Sequence, residues 1–105
     1  MILYHATPYR NLPRIIAGGL ETRFGEIYFA DSAEAAAGFV LLRNERKVAV
    51  IELEFEDKEV KESFDHNEAI FKQLLQLNSV KCYTFNKNIP AGRIDLTKVQ
   101  LFTRE

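Results

Sequence analysis

Cysteine is almost missing from this chain: Cys82 stands alone among 105 residues. A single thiol forms no internal disulfide and has no second cysteine to complete the paired spacing of a zinc ribbon, so the expectation is a reducing, cytoplasmic setting and no bound metal. Glycine and proline are sparse as well, at five and three residues, which excludes a collagen-like or low-complexity chain. Long apolar runs are lacking. No stretch approaches the roughly 18 apolar residues of a membrane span, and the opening Met1-Ile2-Leu3-Tyr4-His5 has no basic segment ahead of a long apolar one. Neither membrane insertion nor a secretory signal is expected. Charge of one sign is also missing, because fourteen Lys and Arg face fifteen Asp and Glu for a formal net charge of −1. The broad basic character behind non-specific nucleic-acid binding is therefore excluded, and a nucleic-acid partner would have to be recognised locally.

What is present is a packed-protein balance, 47% hydrophobic and 28% charged, in a chain whose length supports one domain over residues 1–105. A domain this small buries a modest share of its surface, so any site must be built from the core elements themselves. Ile2 to Ala6 reads as a strand that Thr7-Pro8 closes just after His5. Asn11 is placed to cap a short helix through Ile15 and Ile16, with Gly18-Gly19 as its left-handed exit. Ile27 to Ala30 forms a second strand, and Asp31-Ser32 with Glu34 starts an alanine-rich helix to about Leu42. Val48 to Glu56 is the clearest strand: Ala49, Ile51, Leu53 and Phe55 share one face, and the other turns from Val48 and Val50 to Glu52 and Glu54. Ile70, Phe71, Leu74 and Leu75 recur at helical spacing within 65–77, and Val80 to Phe85 and Val99 to Thr103 complete the strands. This order defines an α/β or α+β chain.

Three separated segments carry chemistry only in combination. They are Leu3-Tyr4-His5-Ala6-Thr7; the helix from Asn11 through Ile15-Ile16 to Gly19-Leu20; and Ile27-Tyr28-Phe29-Ala30-Asp31 followed by a helix with Phe39 eleven positions after Tyr28. Together, over roughly residues 3–40, they resemble the amino-terminal half of the ADP-ribosyltransferase superfamily, especially its poly(ADP-ribose) polymerase-like branch. The resemblance implies an α+β fold with a split β-sheet core of about five to six short strands and three helices. It also implies NAD, as substrate, in a cleft between two small sheets. His5 would bond the nicotinamide-side ribose, Ala6 would hold the carboxamide through its backbone with Thr7 beside it, and Tyr28 and Phe39 would flank the nicotinamide ring. Offset aromatic stacking contributes on the order of 1 kcal/mol beyond area burial. Taken without the resemblance, a strand histidine is a hydrogen-bonded structural residue and the two rings are core packing.

Two departures bear on activity. Ala36 stands where the family often has a serine on the helix, and the strand position of the catalytic glutamate falls at or next to Cys82, within Val80-Lys81-Cys82-Tyr83-Thr84. A carboxylate near the ribose would stabilise the oxocarbenium character that develops as the glycosidic bond breaks, and here Asp65 or His66 is the candidate to replace it. Both lie in Ser63-Phe64-Asp65-His66-Asn67, which reads equally as a helix cap. Arg14, with Arg10 and Arg23, borders the stretch that the resemblance assigns to the diphosphate. The expected activity is transfer of ADP-ribose from NAD to a protein or nucleic-acid acceptor, or cleavage of NAD. The alternatives are a non-catalytic module that binds NAD, ADP-ribose or a protein, and an NAD-dependent RNA 2′-phosphotransferase.

Overall fold

Alternation along Lys47–Glu54 organises the molecule. In the computed structural model, which describes residues 1–22, 25–63 and 80–104, Val48 and Val50 pack in one buried cluster and Ile51 and Leu53 in another. One strand thus feeds two apolar layers on opposite faces of a sheet. The strands are β1 (Ile2–Pro8), β2 (Ile27–Ala30), β3 (Lys47–Glu54), β4 (Lys61–Ser63), β5 (Cys82–Phe85) and β6 (Gln100–Thr103), and the helices are α1 (Leu12–Gly18) and α2 (Ala33–Leu41). All six strands form one antiparallel sheet in the order β4-β5-β2-β1-β3-β6. The result is an α+β fold with two α-helices among the described residues; the helix expected over 65–77 lies outside them. No helix among the described residues is long and apolar enough to cross a membrane.

The alanine-rich helix covers one face. Ser32 is extended, and its hydroxyl accepts a hydrogen bond from the Ala35 amide at 3.3 Å, which starts α2 as the sequence suggests. Ala33, Ala35, Ala36, Ala37 and Val40 are buried against Ala30, Val48, Val50 and Cys82. Short side chains let the helix backbone lie close to the sheet. On the other face Leu3, Ile15, Ile27, Phe29, Ile51 and Leu53 pack with Phe55 and Phe85, and Phe29 meets Phe55 edge-on at 5.0 Å between ring centroids.

Three expectations are corrected. β1 does not stop after His5 but pairs with β3 as far as Pro8↔Val48. The extended angles that Pro8 imposes on Thr7 are strand angles, and Pro8 itself occupies the terminal position where a ladder donor is expendable. Asn11 does not cap α1, since it already has helical angles and its side chain makes no capping bond. A short 3-10 turn over Tyr9–Asn11 runs into the helix and holds Asn11 at the capping position with helical angles; its Nδ2 donates to the Thr7 hydroxyl at 3.1 Å instead. β4 was not expected at all, because Lys61-Glu62-Ser63 has no strand pattern and is extended by pairing with β5.

Gly19 closes α1 and fixes the first helix to the C-terminal third of the chain. Its φ of 81° and ψ of −170° lie in a region essentially reserved for glycine, and a Cβ there would run into the Ile89 carbonyl and sit 2.8 Å from the Ala91 amide nitrogen. That close approach lets Leu20 and Ile89 exchange two backbone hydrogen bonds of 2.9 and 2.8 Å. Gly19→Ala is expected to destabilise the protein by about 2 kcal/mol or more, read as a lower urea midpoint. An unchanged midpoint would mean that the contact with Ile89 is not a constraint.

Candidate active site around His5 and Tyr28

β1 and β2 barely pair. β1 is laddered to β3 over its whole length, from Ile2↔Glu54 to Pro8↔Val48, but to β2 only through Tyr4↔Ala30. The six strands therefore hang as two three-stranded halves, β4-β5-β2 and β1-β3-β6, joined at one ladder pair. Just past that pair the His5 side chain replaces the backbone link: its Nδ1 lies 2.7 Å from the Tyr28 carbonyl oxygen. A carbonyl only accepts, so Nδ1 carries the proton and donates, and in the neutral ring Nε2 is left with its lone pair. No group among the described residues bonds Nε2. The imidazole is partly buried and lies 5.6 Å from the Phe29 ring, tilted by 58°. Burial pulls its pKa below the ordinary histidine value, the bond to Tyr28 opposes this, and the Arg43 guanidinium adds a smaller downward push. At neutral pH the group is a fixed, uncharged hydrogen-bond acceptor.

The other expected residues fall into distinct places. Ala6, opposite Val50, packs against the α2 side of the sheet. Thr7 is buried and its hydroxyl accepts from Asn11. Tyr28 is 47% exposed; strand alternation between the buried Ile27 and Phe29 puts its ring on the α2 face, where Phe39 packs partly buried against the alanine cluster. The sheet thus brings His5 to Tyr28 through the tyrosine's backbone, with the imidazole on one face and the two rings on the α2 face. Arg14 is exposed on α1. Asp65 and His66, the candidate acid–base residues, lie outside the described residues, as does Arg23. Cys82, at the position where the resemblance places a glutamate, is 2% exposed and faces Ala30 and Ser63 across its neighbouring strands.

Arg43 is the neighbour that sequence reading did not single out. It follows α2 in a polar turn, and nothing in that turn signals proximity to a strand nearly forty residues earlier. A separate cavity of about 200 Å³ opens at the opposite end of the β1–β3 pair, where Arg93 donates to the Glu54 carbonyl at 2.9 Å and Lys98 sits 3.7 Å from Glu52. It contains none of the residues expected in the sequence as site residues. Among the described residues no three His, Cys, Asp or Glu side chains converge as metal ligands would. No family model matches the chain, and no curated protein matches it.

The depressed pKa sets a pH dependence. Between the ordinary value near 6.5 and the lower folded value, the unfolded chain takes up a proton at this histidine that the folded chain refuses. Stability contributed by neutral His5 is thus complete above about pH 6.5 and is lost as pH falls toward the folded pKa. Urea midpoints measured from pH 8 down to 5 should decline more steeply for the wild type than for His5→Asn, whose amide still donates to Tyr28. Parallel slopes would show that His5 titrates as it does in the unfolded chain.

Proposed function

We propose that this chain is an ADP-ribosyltransferase-like domain that binds NAD and either transfers its ADP-ribose to a macromolecular acceptor or cleaves it. The observation that carries the reading is the 2.7 Å contact of His5 Nδ1 with the Tyr28 carbonyl oxygen. With Nδ1 committed to the Tyr28 carbonyl, Nε2 is an oriented acceptor for a ribose hydroxyl beside the one β1–β2 ladder pair among the described residues. The neutral state at pH 7, favoured by burial, suits a group that must accept rather than donate. Further support comes from Gly19-Leu20, quoted for the resemblance: Leu20 exchanges two backbone hydrogen bonds with Ile89.

In this reading the ribose lies against His5, and the nicotinamide reaches Ala6, Tyr28 and Phe39, which belong to the other face of the sheet, only by crossing at the β1–β2 junction. The bond between ribose C1′ and the ring nitrogen breaks with its electron pair going to nicotinamide, and water or an acceptor hydroxyl adds to C1′ and gives up its proton. Asp65 or His66 is proposed to receive that proton and to stabilise the cationic ribose. Arg14 is proposed for the diphosphate.

A second reading, a module that binds the nucleotide without turning it over, is favoured by the buried thiol of Cys82 and the methyl of Ala36 at positions where polar groups are expected. Removal of a 2′-phosphate from RNA is a third outcome of the same cleft. Incubation with NAD and chromatography for free nicotinamide separates these readings. Release is expected from the wild type, while His5→Asn, which keeps the Tyr28 bond and lacks an Nε2 acceptor, should bind NAD about tenfold more weakly by calorimetry. Binding without release selects the module, and release only with a 2′-phosphorylated oligonucleotide selects phosphotransfer. A protein that neither binds nor cleaves NAD rejects all three.

A further inference from the structure

Net charge hides a basic end. Three segments distant in sequence converge where β1 ends, β3 begins and β6 finishes: Pro8 pairs with Val48 and Lys47 with Thr103, and the Arg104 amide donates to the Arg46 carbonyl at 2.8 Å. Within 8–10, 43–48 and 103–104 the charged side chains are Arg10, Arg43, Glu45, Arg46, Lys47 and Arg104. Glu45 is the one carboxylate, and Arg10 neutralises it through two bonds of 2.7 and 2.8 Å. Arg104 donates to the Leu41 carbonyl at 3.2 Å, serving the end of α2. Arg43 and Arg46 are exposed and have no carboxylate partner among the described residues. Tyr9 stands among these cations 40% exposed, with the Lys47 ammonium 4.1 Å from its ring centroid.

We propose that this end of the molecule binds single-stranded nucleic acid, with Arg43, Arg46, Lys47 and Arg104 along the phosphates and a base stacked on Tyr9. Cations without a carboxylate partner among the described residues, flanking an exposed aromatic ring, are the combination that single strands require: charge follows the backbone and a flat ring takes an unstacked base. A patch of cations alone would fit any polyanion, and the exposed ring is what selects a strand with free bases. On the reading of the His5 site given above the strand would be the acceptor. Binding itself needs no NAD and is measured without it, so its outcome is independent of the proposed activity.

Fluorescence anisotropy of the full chain with a labelled oligouridylate at low salt should show saturable binding, with log K falling against log salt at a slope of about −2 to −3 for three or four phosphates. The variant combining Arg43→Gln, Arg46→Gln and Lys47→Gln should bind at least about tenfold more weakly. A charge-matched control, Lys58→Gln, Lys61→Gln and Lys87→Gln, removes exposed cations elsewhere and should bind as the wild type. Tyr9→Ala should lose about tenfold for the oligouridylate and little for a duplex of equal length. Failure to bind at low salt, equal losses in patch and control variants, or equal effects of Tyr9→Ala on single strand and duplex would each overturn the proposal. So would capture by phosphatidylserine vesicles without oligouridylate binding, which would assign the patch to lipid.

Discussion

The hydrogen bond from His5 Nδ1 to the Tyr28 carbonyl holds the centre of this structure. It lies where the backbone ladder between β1 and β2 gives out after a single pair, so a side chain takes over the role of a main-chain donor. Such a bond contributes about 1 kcal/mol net, but the carbonyl it satisfies would cost up to about 3 kcal/mol if it were buried without a partner. The same bond fixes the tautomer and leaves Nε2 as an acceptor. A strand histidine that reads as ordinary packing in sequence is thus a link between two strands with one ring nitrogen left as an acceptor.

Around that junction the two faces of the sheet are built differently. The α2 face is tiled with small side chains, Ala33, Ala35, Ala36 and Ala37 against Ala30 and Cys82, which brings the helix close to the sheet. The opposite face is aromatic, with Phe29, Phe55 and Phe85 in tilted and edge-on contact and Arg93 laid over Phe55 at 4.7 Å. Phe39 belongs to the first face and His5 to the second, and strand alternation puts the Tyr28 ring with Phe39.

Charge is segregated as firmly as apolar surface. Glu52, Glu54, Glu56 and Glu59 gather at one end of the sheet, met by Lys98, Lys58 and Arg93. Arginines and Lys47 occupy the other, with Glu45 cancelled by Arg10, whose bonds hold that carboxyl below the usual range. A formal charge of −1 therefore says little about the field near the arginines at that end.

Sequence alone determined what depends on neighbours within a few residues: the two-sided alternation of Val48 to Leu53, the Ser32 start of the alanine-rich helix, the glycine exit of the first helix, and β2 at Ile27–Ala30. These follow from side-chain period, capping geometry and the unique freedom of glycine, all local properties. Tertiary structure decided what depends on partners far along the chain. Strand pairing extended β1 to Pro8 and made a strand of Lys61–Ser63; the 3-10 turn redirected Asn11 to Thr7; and the parting of β1 from β2 chose the tautomer of His5. Each is settled by a hydrogen-bond partner or a charge brought close only by folding, and no periodicity in the chain encodes which distant group that will be.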